Sequence, residues 1–132
     1  MPIIGSTILT GATLAATGGS PSTLSRTGQT VVNGVQVSDT AESDMRIRPT
    51  VTCKVRPAKL QVDGTWSKQK ADYTVVMPKI AADGSVVFPV FRGSLEIHPE
   101  MSTAEITKLA TWGAQVLFDS DFTNFVQNGA TD

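Results

Sequence analysis

Apolar and polar residues alternate through two stretches of this chain. In residues 46–56 the even positions are Arg46, Arg48, Thr50, Thr52, Lys54 and Arg56, and the odd ones are Ile47, Pro49, Val51, Cys53 and Val55. Successive side chains of a strand point to opposite faces, so the pattern predicts one basic and one mostly apolar face. The β-branched Val51, Thr52 and Val55 favour a strand, and no helical period fits the same residues. The alternation returns in residues 66–77: Ala71, Tyr73, Val75 and Met77 share one face, and Lys68, Lys70, Asp72, Thr74 and Val76 share the other. The Asp63-Gly64 turn between the two stretches predicts an antiparallel pair. Apolar sides must coincide in such a pair, which collects the lysines and arginines on the opposite side. Like charges side by side destabilise a sheet unless counter-ions are supplied. Asp72 and Glu96 are placed to supply some, and a bound polyanion would supply more.

Further strands are predicted on either side. Asn33-Gly34 is a turn or bulge signal ahead of a strand over residues 35–38, and an acidic loop follows at 39–44. Residues 78–89 carry Asp83-Gly84 between Pro78 and Pro89 and predict a projecting loop or extended hairpin. Residues 90–98 predict a last strand, with Leu95 and Ile97 inward and Ser94, Glu96 and His98 on the basic side. Near the start, 7–10 and 13–17 read as short strands, with Gly18-Gly19 turning the chain toward a partner within 22–29. Pro49 lacks an amide donor and predicts an interrupted ladder or an edge.

After Pro99 the period changes from two to 3.6. Ser102-Thr103-Ala104-Glu105 matches a capping box. Ile106, Leu109, Ala110, Gly113, Val116 and Leu117 then follow at the spacing of one helical face. Burying Ile106, Leu109, Val116 and Leu117 contributes roughly 6–12 kcal/mol gross, enough to dock a helix on a sheet. A second short helix is predicted from residue 120 or 121 to 127, with Asn128-Gly129 as its stop. Strands first and helices last give an α+β chain with its helices on one face. Trp112 lies off the apolar stripe, available for a partner or for extra packing.

Composition narrows the function. The formal net charge is −1, so bulk charge predicts no attraction to nucleic acid. Distribution does, because six of the eleven Lys and Arg fall on the polar faces of the two alternating strands. The single cysteine, Cys53, excludes an intrachain disulfide and a cysteine metal cluster, and its place on the apolar face predicts a buried thiol. His98 is the lone histidine and no nucleophile motif accompanies it, so the chain reads as no enzyme, with no cofactor and no metal. Residues 3–14 are too short and too interrupted to span a bilayer, and no secretory signal is recognisable.

The ordered set Asn33-Gly34-Val35, Val51-Thr52-Cys53-Lys54-Val55-Arg56, Tyr73-Thr74-Val75-Val76-Met77-Pro78-Lys79-Ile80 and Phe88-Pro89-Val90, followed by two terminal helices, resembles the coat proteins of the single-stranded RNA bacteriophages, the leviviruses. The resemblance implies one coat-protein domain over 1–132: an N-terminal β-hairpin over about 5–29, a five-stranded antiparallel sheet over about 30–98, and two C-terminal helices over about 103–128. It implies a homodimer with interlocked helices, assembly into an icosahedral shell, and a place in the virion after assembly in the bacterial host cytoplasm. Its other partner would be single-stranded genomic RNA, including a hairpin whose binding represses translation.

On this resemblance Thr52, Lys54, Arg56, Lys68, Lys70 and Thr74 fall where the family contacts RNA, and Val35 falls near its base pocket. Arg46 and Arg48 join them through the strand pattern. Pro78, Asp83, Gly84 and Pro89 mark the loop that adapts to different symmetry environments, and Ile106, Leu109, Val116 and Leu117 form the core and dimer face of the helix. Some positions depart from the family pattern. Lys54 stands where a small hydroxyl residue lines the pocket, Thr74 occupies a lysine position, and Ser94 stands where an aromatic can stack on a base. General contact through charge survives those changes, whereas recognition of the same hairpin does not follow. The competing reading is a stand-alone small RNA-binding module with a basic sheet face. Such modules set exposed aromatics on the sheet to stack bases, and residues 46–74 place none on the basic side.

Overall fold

A computed structural model describes residues 3–12 and 14–130. The chain divides into two units, one of residues 19–99 and one of residues 1–18 with 100–132.

The first unit is a five-stranded antiparallel sheet of β1 (Leu24–Arg26), β2 (Gly34–Asp39), β3 (Thr50–Arg56), β4 (Gln69–Val76) and β7 (Val90–Ile97), in that spatial order. Two short strands, β5 (Lys79–Ile80) and β6 (Val86–Val87), form a separate hairpin between β4 and β7. The predicted antiparallel pair is β3–β4, with Val51 opposite Val75, Thr52 opposite Thr74 and Arg56 opposite Lys70. Apolar partners therefore share one side, as the alternation requires.

Asn33 takes a left-handed conformation (φ 57°) and its carbonyl accepts from the Val55 N–H at 2.9 Å. Gly34 follows, where a Cβ would overlap the Cys53 carbonyl oxygen. Asn tolerates the left-handed region and Gly the close approach, so this dipeptide starts β2.

Four strands differ from their expected bounds, β2 by one residue at each end. Residues 46–49 are not part of β3. The Asp44 carboxylate instead accepts from the Arg46 backbone N–H at 3.0 Å and forms an ion pair with its guanidinium at 2.9 Å. Arg48 donates twice to the Glu42 carbonyl, at 3.0 and 2.8 Å. Pro49 offers no donor, so the ladder starts one residue after it. β4 begins at Gln69, because Trp66 pairs only with Leu60 across the turn at Asp63-Gly64. Finally, β7 stops at Ile97, one residue short of His98.

In the second unit, α1 runs over Thr103–Phe118 with Ser102 as its N-cap. The Glu105 N–H donates to Ser102 Oγ at 3.3 Å, and the Ser102 hydroxyl donates to the Glu105 carboxylate at 3.0 Å. A single 3-10 turn (Ser120–Phe122) leads into α2 (Thr123–Asn128), which Gly129 stops in a left-handed conformation, as expected of a C-terminal glycine.

The N-terminal hairpin is a correction. No strand forms at residues 7–10 or 14–17, and Thr13 lies outside the described residues. Leu9 instead finds a side-chain partner: its N–H donates to Gln115 Oε1 at 2.8 Å and its C=O accepts from Gln115 Nε2 at 2.9 Å. Thr7 N–H donates to Asp121 Oδ2 at 3.2 Å. A buried amide thus stands in for a neighbouring strand at Leu9, and the expected strand partner, Leu24–Arg26, pairs with β2. Among the described residues Phe122 is the one buried apolar side chain, and Ser38 and Gln115 are the buried polar ones.

Candidate nucleic-acid interface

Strand register assigns every side chain of the sheet to a face. One row across it runs Gln36–Thr52–Thr74–Arg92, the next Lys54–Asp72–Ser94, and the next Arg56–Lys70–Glu96. Hydrogen bonds tie the first row together: Thr27 Oγ1 donates to Gln36 Oε1 at 2.8 Å, and Gln36 Nε2 donates to Thr52 Oγ1 at 3.3 Å. Lys68, just before β4, continues the same face and reaches Glu96 at 3.6 Å. Lys70 reaches Asp72 at 3.8 Å. The two carboxylates expected to offset the lysines therefore do so, through long, exposed pairs of little energetic weight.

Lys54, Arg56, Lys68, Lys70 and Arg92 against Asp72 and Glu96 leave this face with three net positive charges in a chain of net charge −1. Lys54, Arg56 and Arg92 have no ion-pair partner among the described residues. A shallow depression of about 540 Å³ lies in the middle of the face, lined by Thr52, Lys54, Lys70, Asp72, Thr74, Arg92 and Ser94, with Tyr73 and Gly93 of the opposite parity also reaching it. No aromatic side chain shares these rows among the described residues. Tyr73 belongs to the opposite face, where its ring packs beside Phe91 (centroids 5.6 Å apart) and over Gly93, at which a Cβ would overlap the ring.

Of the residues expected at the interface, Thr52, Lys54, Arg56, Lys68, Lys70 and Thr74 come together here. Three do not. Arg46 and Arg48 sit in the loop before β3, one tied to Asp44 and the other to Glu42. Asp44 is held below its ordinary carboxylate range, and Arg46 above its own, by the hydrogen bond and ion pair between them. Val35 lies opposite Cys53 on the apolar face and is not among the residues lining the depression. Arg92 and Gln36 belong to the basic face and were not among the expected residues. Alternation inside residues 90–98 carries the signal for Arg92, which lies two positions before Ser94.

The opposite face presents Val35, Val37, Val51, Cys53, Val55, Ala71, Tyr73, Val75, Phe91, Leu95 and Ile97, with Gln69 at one end and Leu24, Arg26 and Asp39 at the β1 edge. Cys53 lies there as expected but is exposed rather than buried, beside the exposed Val55 and Tyr73. On α1, Ile106, Val116 and Leu117 are half-buried, whereas Leu109 is 43 % and Trp112 41 % exposed, with Lys108 Nζ 5.8 Å from the indole centroid. In the β5–β6 hairpin, Asp83 accepts from the Ser85 hydroxyl at 2.6 Å and the Ser85 N–H at 3.0 Å, which lowers its pKa. Among the described residues no cluster of His, Cys, Asp or Glu has metal-binding geometry, and no helix is long and apolar enough to cross a membrane.

No protein-family model and no curated protein matches the chain. Solved structures do. The virus-like particle of bacteriophage GQ-907 is 44 % identical with a TM-score of 0.88, covering 97 % of this chain and 98 % of that one. The virus-like particle of bacteriophage AVE019 is 12 % identical (TM-score 0.66, covering 83 % and 86 %), and that of Beihai levi-like virus 21 is 12 % identical (TM-score 0.59, covering 95 % and 97 %). The last two show a shared fold; the first shows kinship along nearly the whole chain. This protein belongs to the coat proteins of the levi-like RNA phages, structural subunits of a capsid rather than enzymes.

Proposed function

We propose that two copies of this chain form a dimer in which helices interlock and the apolar sheet faces are covered, and that such dimers close into an icosahedral shell with the basic faces inward on single-stranded genomic RNA. The carrying observation is the pairing of a net-positive face with a largely apolar face on one sheet. Exposed apolar side chains on both the sheet and α1 support the dimer. Leu109, Trp112, Tyr73 and Val55 are the apolar side chains a second copy would cover, and Ile106, Val116 and Leu117 complete the helix side of that packing. Joining sheets edge to edge also removes a strand edge that a single copy leaves open.

The basic face suits a phosphate backbone. Each phosphate neutralised by Lys54, Arg56, Lys70 or Arg92 releases counterions, with a salt slope of roughly −0.7 per contact on single strands. Repression of translation at an RNA hairpin, which the family resemblance implies, would draw mainly on base edges and charge, because the three central rows of this face carry no aromatic side chain among the described residues. The residues of the β5–β6 hairpin, from Pro78 to Pro89 with Asp83 and Gly84 at its tip, form the loop we assign to adapting between symmetry environments. Assembly in the host cytoplasm completes the reading.

Expression of the chain alone in bacteria, followed by electron microscopy and nuclease treatment, tests it. Closed spherical shells holding nuclease-protected RNA are expected. A persistent small dimer that binds RNA without forming shells would contradict the packaging role.

A further inference from the structure

Asp72 offsets Lys70 only through a long pair, yet it stands at the centre of the face proposed above to meet phosphate. It stands in the middle row between Lys54 and Ser94, with Lys70 and Thr74 two residues away along β4. A carboxylate there repels the polyanion that the surrounding cations attract. Its single ion pair is long, 3.8 Å to Lys70, and its side chain is 44 % exposed. Among the described residues it accepts no hydrogen bond; Oδ1 faces Lys70 across the long pair, and the side chain lines the depression. Glu96, by comparison, lies at the end of the face beside Lys68.

We propose that Asp72 makes the depression a guanine-selective subsite, the carboxylate accepting the ring N1–H and the exocyclic N2–H of one unpaired guanosine while Lys54, Lys70 and Arg92 hold the flanking phosphates. An ionised carboxylate is acceptor-only, with two oxygens suited to two parallel donors. Guanine alone among the RNA bases offers a ring N–H beside an amino group on its Watson–Crick edge. Adenine and cytosine present an amino group next to an acceptor nitrogen, and uracil a single N–H between two carbonyls. An acceptor-only group thus pairs fully with guanine and meets a repelling lone pair on the others. Unpaired RNA bases are read through these edges. The depression's volume lies within the range of small-ligand sites. The small residues Thr52, Thr74, Gly93 and Ser94 around the depression leave room for a base to lie against the sheet.

This inference rests on the basic face being the RNA side, and the test separates the two. Fluorescence anisotropy of the full chain is measured with a short adenosine-rich RNA carrying isolated guanosines, and with the same RNA carrying inosine, which lacks the 2-amino group. Both are titrated at low and moderate salt. The guanosine RNA is expected to bind about tenfold more tightly, within the range of one good bidentate contact. Asp72→Asn and Asp72→Thr, both still forming particles, should bind both RNAs equally and each more tightly than the unaltered chain binds inosine RNA. Equal affinities in the unaltered chain, with normal salt dependence, would overturn the subsite and leave the RNA-facing assignment standing. A guanosine preference that survives in both variants would also overturn it. Absence of any salt-dependent binding would remove the RNA-facing assignment itself, and the subsite with it.

Discussion

The two faces of one sheet share a backbone, a register and a set of hydrogen bonds, yet they ask for different partners. On one, Thr52, Lys54, Arg56, Lys70 and Arg92 present charge and hydroxyls with few internal partners. On the other, Val51, Val55, Tyr73 and Val75 present apolar surface, with Tyr73 still 39 % exposed. Burial of apolar area stabilises whatever covers it, at about 25 cal/mol per Å². Contact with phosphate depends on salt and adds little to folding. Neighbouring residues of a single strand should therefore respond to mutation in unrelated ways.

The sharpest way to break the comparison is to place the same charge on either side of β3. Val51→Asp puts an unpaired carboxylate on the face to be covered, which costs several kcal/mol if buried, and should abolish soluble dimer and particles on size-exclusion chromatography. Thr52→Asp, one residue away, should leave particles intact and lower their RNA content. Equal effects from the two would deny that the faces differ. Leu109→Asp tests the helix side of the same covering and should also prevent soluble dimer; a normal yield of shells would contradict it.

Next in size comes charge removal. Lys54→Ser with Arg56→Ser should reduce the salt slope of RNA binding by roughly 1.4, two contacts at about 0.7 each, without changing dimer yield. Smaller still is Gln115→Leu, which removes both hydrogen bonds to Leu9. It should cost about 1–3 kcal/mol and raise Leu9 amide exchange, leaving RNA binding untouched.

The smallest effect concerns acid. Asp83 has a lowered pKa from its hydrogen bonds with Ser85, so its support of the β5–β6 turn is present above the ordinary carboxylate pKa. It is lost as pH falls through the depressed value. Amide exchange at Ser85, corrected for its intrinsic pH dependence, should rise only at the acid end, and Asp83→Ala should remove that step.

How far the fold could be read from residues follows from which interactions are local. Period-two alternation in β3 and β4, and the capping box with a 3.6 period in α1, depend on neighbours in sequence, and all three elements formed. Asn33-Gly34 was legible because left-handed φ and close backbone approach need those two residues. Arg46 and Arg48 fitted the alternation, but Asp44 and the Glu42 carbonyl held them in a loop, a competition that period alone does not reveal. Val35 was placed by analogy with a family pocket, and its face was legible only from register against Cys53. Leu9 is the clearest limit. Its partner Gln115 lies 106 positions away, and no pattern in residues 7–17 could announce a side-chain amide in place of a second strand.

The most direct measurement is electron cryo-microscopy of particles formed by this chain with the RNA they take up. The account predicts RNA density against Lys54, Arg56, Lys70 and Arg92 on the inner surface, with Val51, Val55 and Tyr73 covered by protein. Density lying elsewhere, with these cations facing the outside of the shell, would contradict it.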